Sequence, residues 1–179
     1  PSLYSLLKEW LPEEHRYKNL QLLYRGTRDG MNSMAFHENC DYKGPTLTLI
    51  HCTFYRSSKK SIIGGYLDKD WTDKDEWIGS DKAFLFSLTA KVKCPISARA
   101  ARDQAAHGIA DLGPSFGPGY TLKINASFSE NFVAPCEFEN SEVLIDRKNQ
   151  EPLFSFEDHI SSIGMNYFEI HEIEVYTFK

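Results

Sequence analysis

The sequence contains no apolar run approaching the roughly 20 residues that a membrane-spanning helix requires, so insertion into a bilayer as a helix is not expected. It also lacks a surplus of positive charge. Its 20 Lys and Arg stand against 25 Asp and Glu, for a net charge of −5. That balance serves solubility and argues against nucleic acid as a partner. The one basic cluster, Lys59-Lys60 with Arg56 nearby, lies between two strand-like runs and reads as an exposed hairpin tip. Cysteine is sparse. Cys40, Cys52, Cys94 and Cys136 fall in no zinc or redox spacing, so free thiols in a reducing, cytoplasmic setting are expected. A secretory leader is not expected, and the sequence holds no internal repeat and no low-complexity tract. The chain begins at Pro1 rather than at a methionine, and a piece of a longer protein is expected.

What is present is enough for one folded domain. With 179 residues, 41% of them hydrophobic and 13% aromatic, the chain can build a core without disulfides or metals. Residues 3–16 carry Leu3, Leu6, Leu7 and Trp10 at helical spacing, with Pro12 as a stop or restart. This segment, 1–16, reads as a helical flank to a domain over 17–179. Leu20 to Gly26 reads as a first strand, and Asn32 or Ser33 is placed to cap a short helix through Asn39.

From Thr46 onward strands dominate. Thr46 to Tyr55 and Ser61 to Leu67 predict a hairpin. Gly64-Gly65, inside its second arm, marks a bulge or a close backbone approach. Residues 68–82 read as a long loop or a short helical turn carrying Trp71 and Trp77. Ala83 to Thr89 alternates as a strand. Ile96 to Ala101, Ala105 to Asp111 and Tyr120 to Ala126 are further strand candidates. Residues 127–166 are loop-rich, with Phe128, Phe132, Phe138 and Phe154 as anchors, and Tyr167 to Phe178 closes the chain as a long strand. Six to eight strands with short turns and no βαβ rhythm predict an α+β, β-rich fold. The architecture expected is a two-sheet antiparallel β-sandwich with flanking short helices.

Chemistry-bearing constellations are few. His37 and Cys40 lie three apart beside Asp41, and a helix end with ordinary packing is the simpler reading than a nucleophilic site. His51 and Cys52 are neighbours on a strand and point to opposite faces, so they cannot share a metal. The run Gly113-Pro114-Ser115-Phe116-Gly117-Pro118-Gly119 lacks the order of a phosphate loop, and its prolines remove donors. It reads as a shaped turn with Phe116 tucked beneath it. In the closing strand the apolar residues change faces between Ile170 and Ile173. Either a β-bulge near His171-Glu172 resets the register, or one face turns acidic toward its end. Glu172 and Glu174, two apart, are the candidate carboxylate pair for acid–base work, with a solvated or partner-facing acidic patch as the alternative.

Six segments, in order, carry a resemblance. They are Leu22 to Gly30, Gly44 to Ile50, Ile63-Gly64-Gly65-Tyr66 with Trp71, Ala83 to Leu88, Gly113 to Gly117, and Phe168 to Tyr176. Together they make the chain resemble the TLDc domain, found in oxidation-resistance proteins. The resemblance implies a β-sandwich, protection against oxidative stress and binding to the vacuolar-type proton ATPase. It brings no agreed catalytic set, and no cofactor or metal is expected. Gly64, Gly65, Tyr66, Trp71, Gly113, Phe116, Gly117, Glu172 and Glu174 are the motif positions to follow. A monomeric, non-enzymatic protein-interaction domain is the expected function. The alternatives are a thiol- or carboxylate-dependent enzyme or oxidant scavenger, and a scaffold domain within a multidomain protein.

Overall fold

The computed structural model describes residues 2–55, 58–95, 102–117, 120–129, 131–133, 145–146, 151–152 and 166–179. Leu3–Trp10 (α1) ends where Leu11 turns extended ahead of Pro12, and Glu13–Arg16 (α2) restarts beyond it. Leu20–Arg25 (β1) runs through the single turn Gly26–Asp29 (α3) into Ser33–Cys40 (α4). Asn32 caps α4 by accepting the Ala35 amide at 2.9 Å. Thr46–Phe54 (β2) and Lys60–Leu67 (β3) form the expected hairpin. Then come Lys74–Ile78 (β4), Phe84–Ser87 (β5), Val92–Pro95 (β6), Ala106–Ile109 (β7), Ser115–Phe116 (β8), Leu122–Lys123 (β9) and Asn131–Val133 (β10). Ile145–Asp146 (β11) pairs with Glu151–Pro152 (β12) as a separate two-stranded sheet, and Asn166–Phe178 (β13) closes the chain.

The fold is a β-rich α+β sandwich of antiparallel sheets, and β13 belongs to both. Its first residues, Asn166 to Phe168, pair with β10. Its remainder pairs with β2 on one edge, and its last five residues pair with β1 on the other. One sheet therefore runs β1-β13-β2-β3-β5-β6, and the second runs β10-β9-β8-β7-β4. The alternation of β3 shows how the layers meet. Ile63 and Leu67 join the inner core, which includes Phe116 and Leu122 of the second sheet. Tyr66 faces outward, where Leu7 and Leu11 of the helical flank cover it together with Leu47, Phe84 and Phe86. Lys93 of β6 fixes the end of α1 by donating to the Trp10 carbonyl at 2.8 Å, a cation where the helix dipole favours one.

The two glycines of β3 sit in unbroken register with β2, so they mark close approach rather than a bulge. A Cβ on Gly64 would lie 2.0 Å from the Thr48 carbonyl oxygen, and one on Gly65 would lie 2.6 Å from the Phe116 ring. Residues 68–82 hold a strand that was not expected there. β4 exposes Lys74 through Trp77 and bulges at its pairing with β7, so it shows no apolar alternation to read. The turn around Phe116 likewise contains the two-residue β8, and the Tyr120 to Ala126 candidate narrows to β9. Phe138, Phe154, Arg56, Cys136 and the Ile96 to Ala101 candidate lie outside the described residues.

Candidate functional site

The closing strand carries the site. Its pairing with β2 shifts register between Ile170 and Glu172, which is the bulge alternative of the two the face count left open. The extra residue, His171, keeps Ile170, Ile173 and Val175 all in the inner core. Glu172 and Glu174 consequently turn outward, beside β1 and α3. Glu174 Oε1 accepts from Arg25 Nε at 2.9 Å and from a terminal guanidinium nitrogen at 2.6 Å, and its Oε2 accepts from the Tyr176 hydroxyl at 3.0 Å. Glu172 Oε1 accepts the amides of Thr27 at 3.1 Å and of Ile173 at 3.0 Å, and its Oε2 takes the Thr27 hydroxyl. Asp29 accepts the Arg25 amide and is forked by Arg28.

Each carboxylate is thus committed to a different partner, and the two do not share a proton. Burial works to raise the Glu172 carboxyl, but the three donors outweigh it and hold the group below its ordinary value. It is ionised at neutral pH and is poorly suited to act as a general acid there. A groove of about 310 Å³ lies elsewhere, between the end of α1 and the β5–β6 edge, lined by Trp10, Arg16, Lys82, Phe84 and Lys93. Neither carboxylate lines it. What the β1–α3–β13 edge presents is a set charged surface, in which the Arg25 side chain is 43% exposed and that of Arg28 is 52% exposed.

The thiols are placed differently. Cys40, Cys52 and Cys94 are free and buried. Burial pushes the Cys52 and Cys94 thiols up to about 12 and moves Cys40 in the same direction. A thiolate is the reactive form, so none of the three is suited to scavenging at neutral pH. No group of three or more His, Cys, Asp and Glu side chains able to hold a metal occurs among the described residues.

His37 and Asp41 do meet, at 2.8 Å, but the other ring nitrogen of His37 faces the carbonyls of Ile109 and Leu112, each at 2.9 Å. Acceptors on both nitrogens suit the imidazolium, which donates from both. The residue therefore ties α4 to the β7–β8 turn rather than serving as a base. Burial opposes its charge, yet the carboxylate and carbonyls prevail and raise it above 6.5. Its stabilisation is then complete below the ordinary histidine value and is lost as pH rises through the raised folded value. Urea unfolding followed between about pH 6 and about pH 9 should show that alkaline loss, and His37→Gln should flatten it.

The remaining motif positions are packing positions. Trp71 is fully buried and donates its indole N–H to Thr46 Oγ1 at 2.9 Å. Phe116 meets Trp71 edge-on at 5.4 Å. A Cβ on Gly113 would lie 2.7 Å from the Phe128 ring and 2.8 Å from the Ile124 side chain, and Gly117 sits at φ 83 in the turn after β8. Tyr66 is buried and stacks on Phe84. Arg25 and Thr27 were legible only as members of a motif. Their role depends on the β1–β13 pairing, which brings the two ends of the chain together and leaves no local trace.

A family model for the TLDc domain matches residues 1–179. The chain belongs to the TLDc domain family. Over 90 residues it is 27% identical to TBC1 domain family member 24 of Xenopus tropicalis, a match covering 47% of this chain and 15% of that protein. The TLDc match takes in α1 and α2 as well as the sandwich. No helix among the described residues of this TLDc domain is long and apolar enough to cross a membrane.

Proposed function

We propose that this TLDc domain is a non-enzymatic protein-interaction module that docks through the β1–α3–β13 edge. Its partner is a cytosolic subunit of the vacuolar-type proton ATPase, and it acts in protection against oxidative stress. The observation that carries the docking reading is the state of the two motif glutamates. Both are outward, and each is saturated by donors from Arg25, Thr27 or Tyr176. Glu174 holds Arg25 and Asp29 holds Arg28 in fixed positions, which suits complementary recognition of an acidic surface. The proton-pump partner and the stress role rest on what family membership implies.

The test is co-elution of the chain with individually purified pump subunits on size exclusion, followed by hydrogen exchange on any complex. Protection is expected at Leu20–Asp29 and at Glu172–Tyr176. Protection confined to the β4–β7 edge would move the interface away from the motif glutamates and defeat the docking reading.

A second reading is a scaffold domain within a larger protein. It is favoured by the share of the Xenopus tropicalis protein that the match covers, 15% of its length.

A further inference from the structure

The outer face of the second sheet gathers a group of side chains that neither the docking edge nor the core uses. Ala106 points into the core, so His107 points the other way. Across the β4–β7 pair it lies opposite Trp77, whose indole rests flat on the imidazole at 4.1 Å and 6°. The Tyr120 ring stacks beside both, 5.7 Å from the imidazole and 5.6 Å from the indole. Tyr120 Oη is 2.6 Å from His107 Nδ1, and Asp75 Oδ1 is 2.9 Å from Nε2. His107 is 6% exposed, while Trp77 is 40% exposed. Asp75 and Tyr120 both hold left-handed backbone, at φ 59 and φ 62, which a non-glycine residue adopts at a cost.

The hydrogen-bond order follows from the donors available. A carboxylate only accepts, so Nε2 carries the hydrogen and Asp75 fixes the tautomer. Nδ1 then offers its lone pair to the phenol O–H. The phenol is thereby aimed at a ring nitrogen that Asp75 holds in place from the far side, with the Trp77 indole flat on the same imidazole. Nucleophile, base and orienting acid in series would also describe a hydrolytic triad. That chemistry needs a cleft for the substrate, whereas this group lies on a sheet face with Trp77 over the histidine. Loss of an electron needs contact and a proton acceptor, and no cleft.

We propose that Trp77, Tyr120, His107 and Asp75 form a radical sink on the second sheet, which takes one oxidising equivalent from an organic peroxyl radical and holds it on Tyr120. The peroxyl radical takes one electron at the exposed Trp77 and a proton from water, and leaves as the hydroperoxide. The electron hole passes from the indole to the stacked phenol. The phenol proton crosses to His107 Nδ1 as the electron leaves, giving a neutral phenoxyl beside an imidazolium bonded to Asp75. Lys123 lies over the Tyr120 ring at 4.9 Å and disfavours positive charge there, so departure of the electron and proton together is the favoured course. An enediol or thiol reductant returns the electron and becomes a radical itself, releasing its own proton to the hydroxide left by the first step, and His107 returns the proton to the phenoxyl.

The test oxidises the whole chain with azide radical in pulse radiolysis and follows the indolyl and phenoxyl bands, with electron paramagnetic resonance on ring-deuterated tyrosine. Decay of the Trp77 radical should match growth of a phenoxyl on Tyr120. Tyr120→Phe should remove most of that phenoxyl and prolong the indolyl radical. Asp75→Asn, at a side chain 71% exposed and so neutral for folding, should slow the indolyl-to-phenoxyl step by about tenfold, as expected for loss of one charge-assisted hydrogen bond to the imidazolium. Unchanged phenoxyl yield and rate in the folded variants would overturn the proposal, and if Tyr120→Phe fails to fold, Asp75→Asn decides alone. Neither outcome bears on the docking edge, which lies on the other sheet.

Discussion

Replacing Gly64 with alanine is expected to cost at least about 3 kcal/mol of folding stability, a large part of the 5–15 kcal/mol, roughly, that holds a domain folded. The new methyl would stand 2.0 Å from the Thr48 carbonyl oxygen and 2.7 Å from Phe86 Cζ. The phenyl ring can turn aside, but the carbonyl cannot. It belongs to the central strand of its sheet, paired on one side with β3 and on the other with β13. Moving it disturbs ladder bonds on both sides. Gly65→Ala is expected to cost less, because its methyl meets only the Phe116 ring. The check is urea unfolding of both variants at one pH. The midpoint should fall further for Gly64→Ala than for Gly65→Ala, and the reverse order would show that the layers rather than the hairpin set the limit.

Trp71→Ala is expected to cost about 3–5 kcal/mol, the range for removing a large buried aromatic. Trp71 has no exposed surface and sits edge-on to both Phe36 and Phe116, with centroids 5.5 and 5.4 Å away. It touches α4 from one side and the second sheet from the other, so its loss opens a cavity where three units meet. It also strands the Thr46 hydroxyl that accepts the indole N–H. Trp71→Phe keeps most of the apolar volume and should recover more than half of the loss. Urea midpoints measure the stabilities, and near-ultraviolet circular dichroism reports whether the aromatic packing survives. A loss below about 1 kcal/mol for the alanine variant would contradict the core described here.

These two residues show what the sequence makes legible and what it hides. The cost of Gly64-Gly65 inside a strand is visible in the residue type alone. The partners are not, because the Thr48 carbonyl and the Phe116 ring arrive through tertiary pairing. The bulge at His171 is readable for a related reason. A period of two leaves only one way to keep Ile170, Ile173 and Val175 on one face. β4 is unreadable because its alternation is absent, being exposed along most of its length and bulged at Asp75. The acidic pair was legible as residues but not as chemistry. Whether Glu172 and Glu174 do acid–base work depends on what faces them, and Arg25 and Thr27 come from the opposite end of the chain. The same holds for Asp75, His107 and Tyr120, which lie on separate segments with no shared motif. Even the His37–Asp41 pair, adjacent on one helix end, takes its role from carbonyls of another layer.

On the proposed function, the edge built by Arg25, Thr27, Glu172 and Glu174 is a surface for binding protein. Isothermal titration of the chain against a purified cytosolic subunit of the vacuolar-type proton ATPase, with Arg25→Glu beside the wild type, tests it most directly. Arg25 is partly exposed and pairs with Glu174, so the variant should lose some stability, and its urea midpoint is measured to establish that it is folded under the conditions of the titration. The charge reversal sets a carboxylate against Glu174 and against an acidic partner, and the account predicts affinity weakened by more than about tenfold. Equal affinity for the two folded proteins, or no binding by the wild type to any subunit, would contradict it.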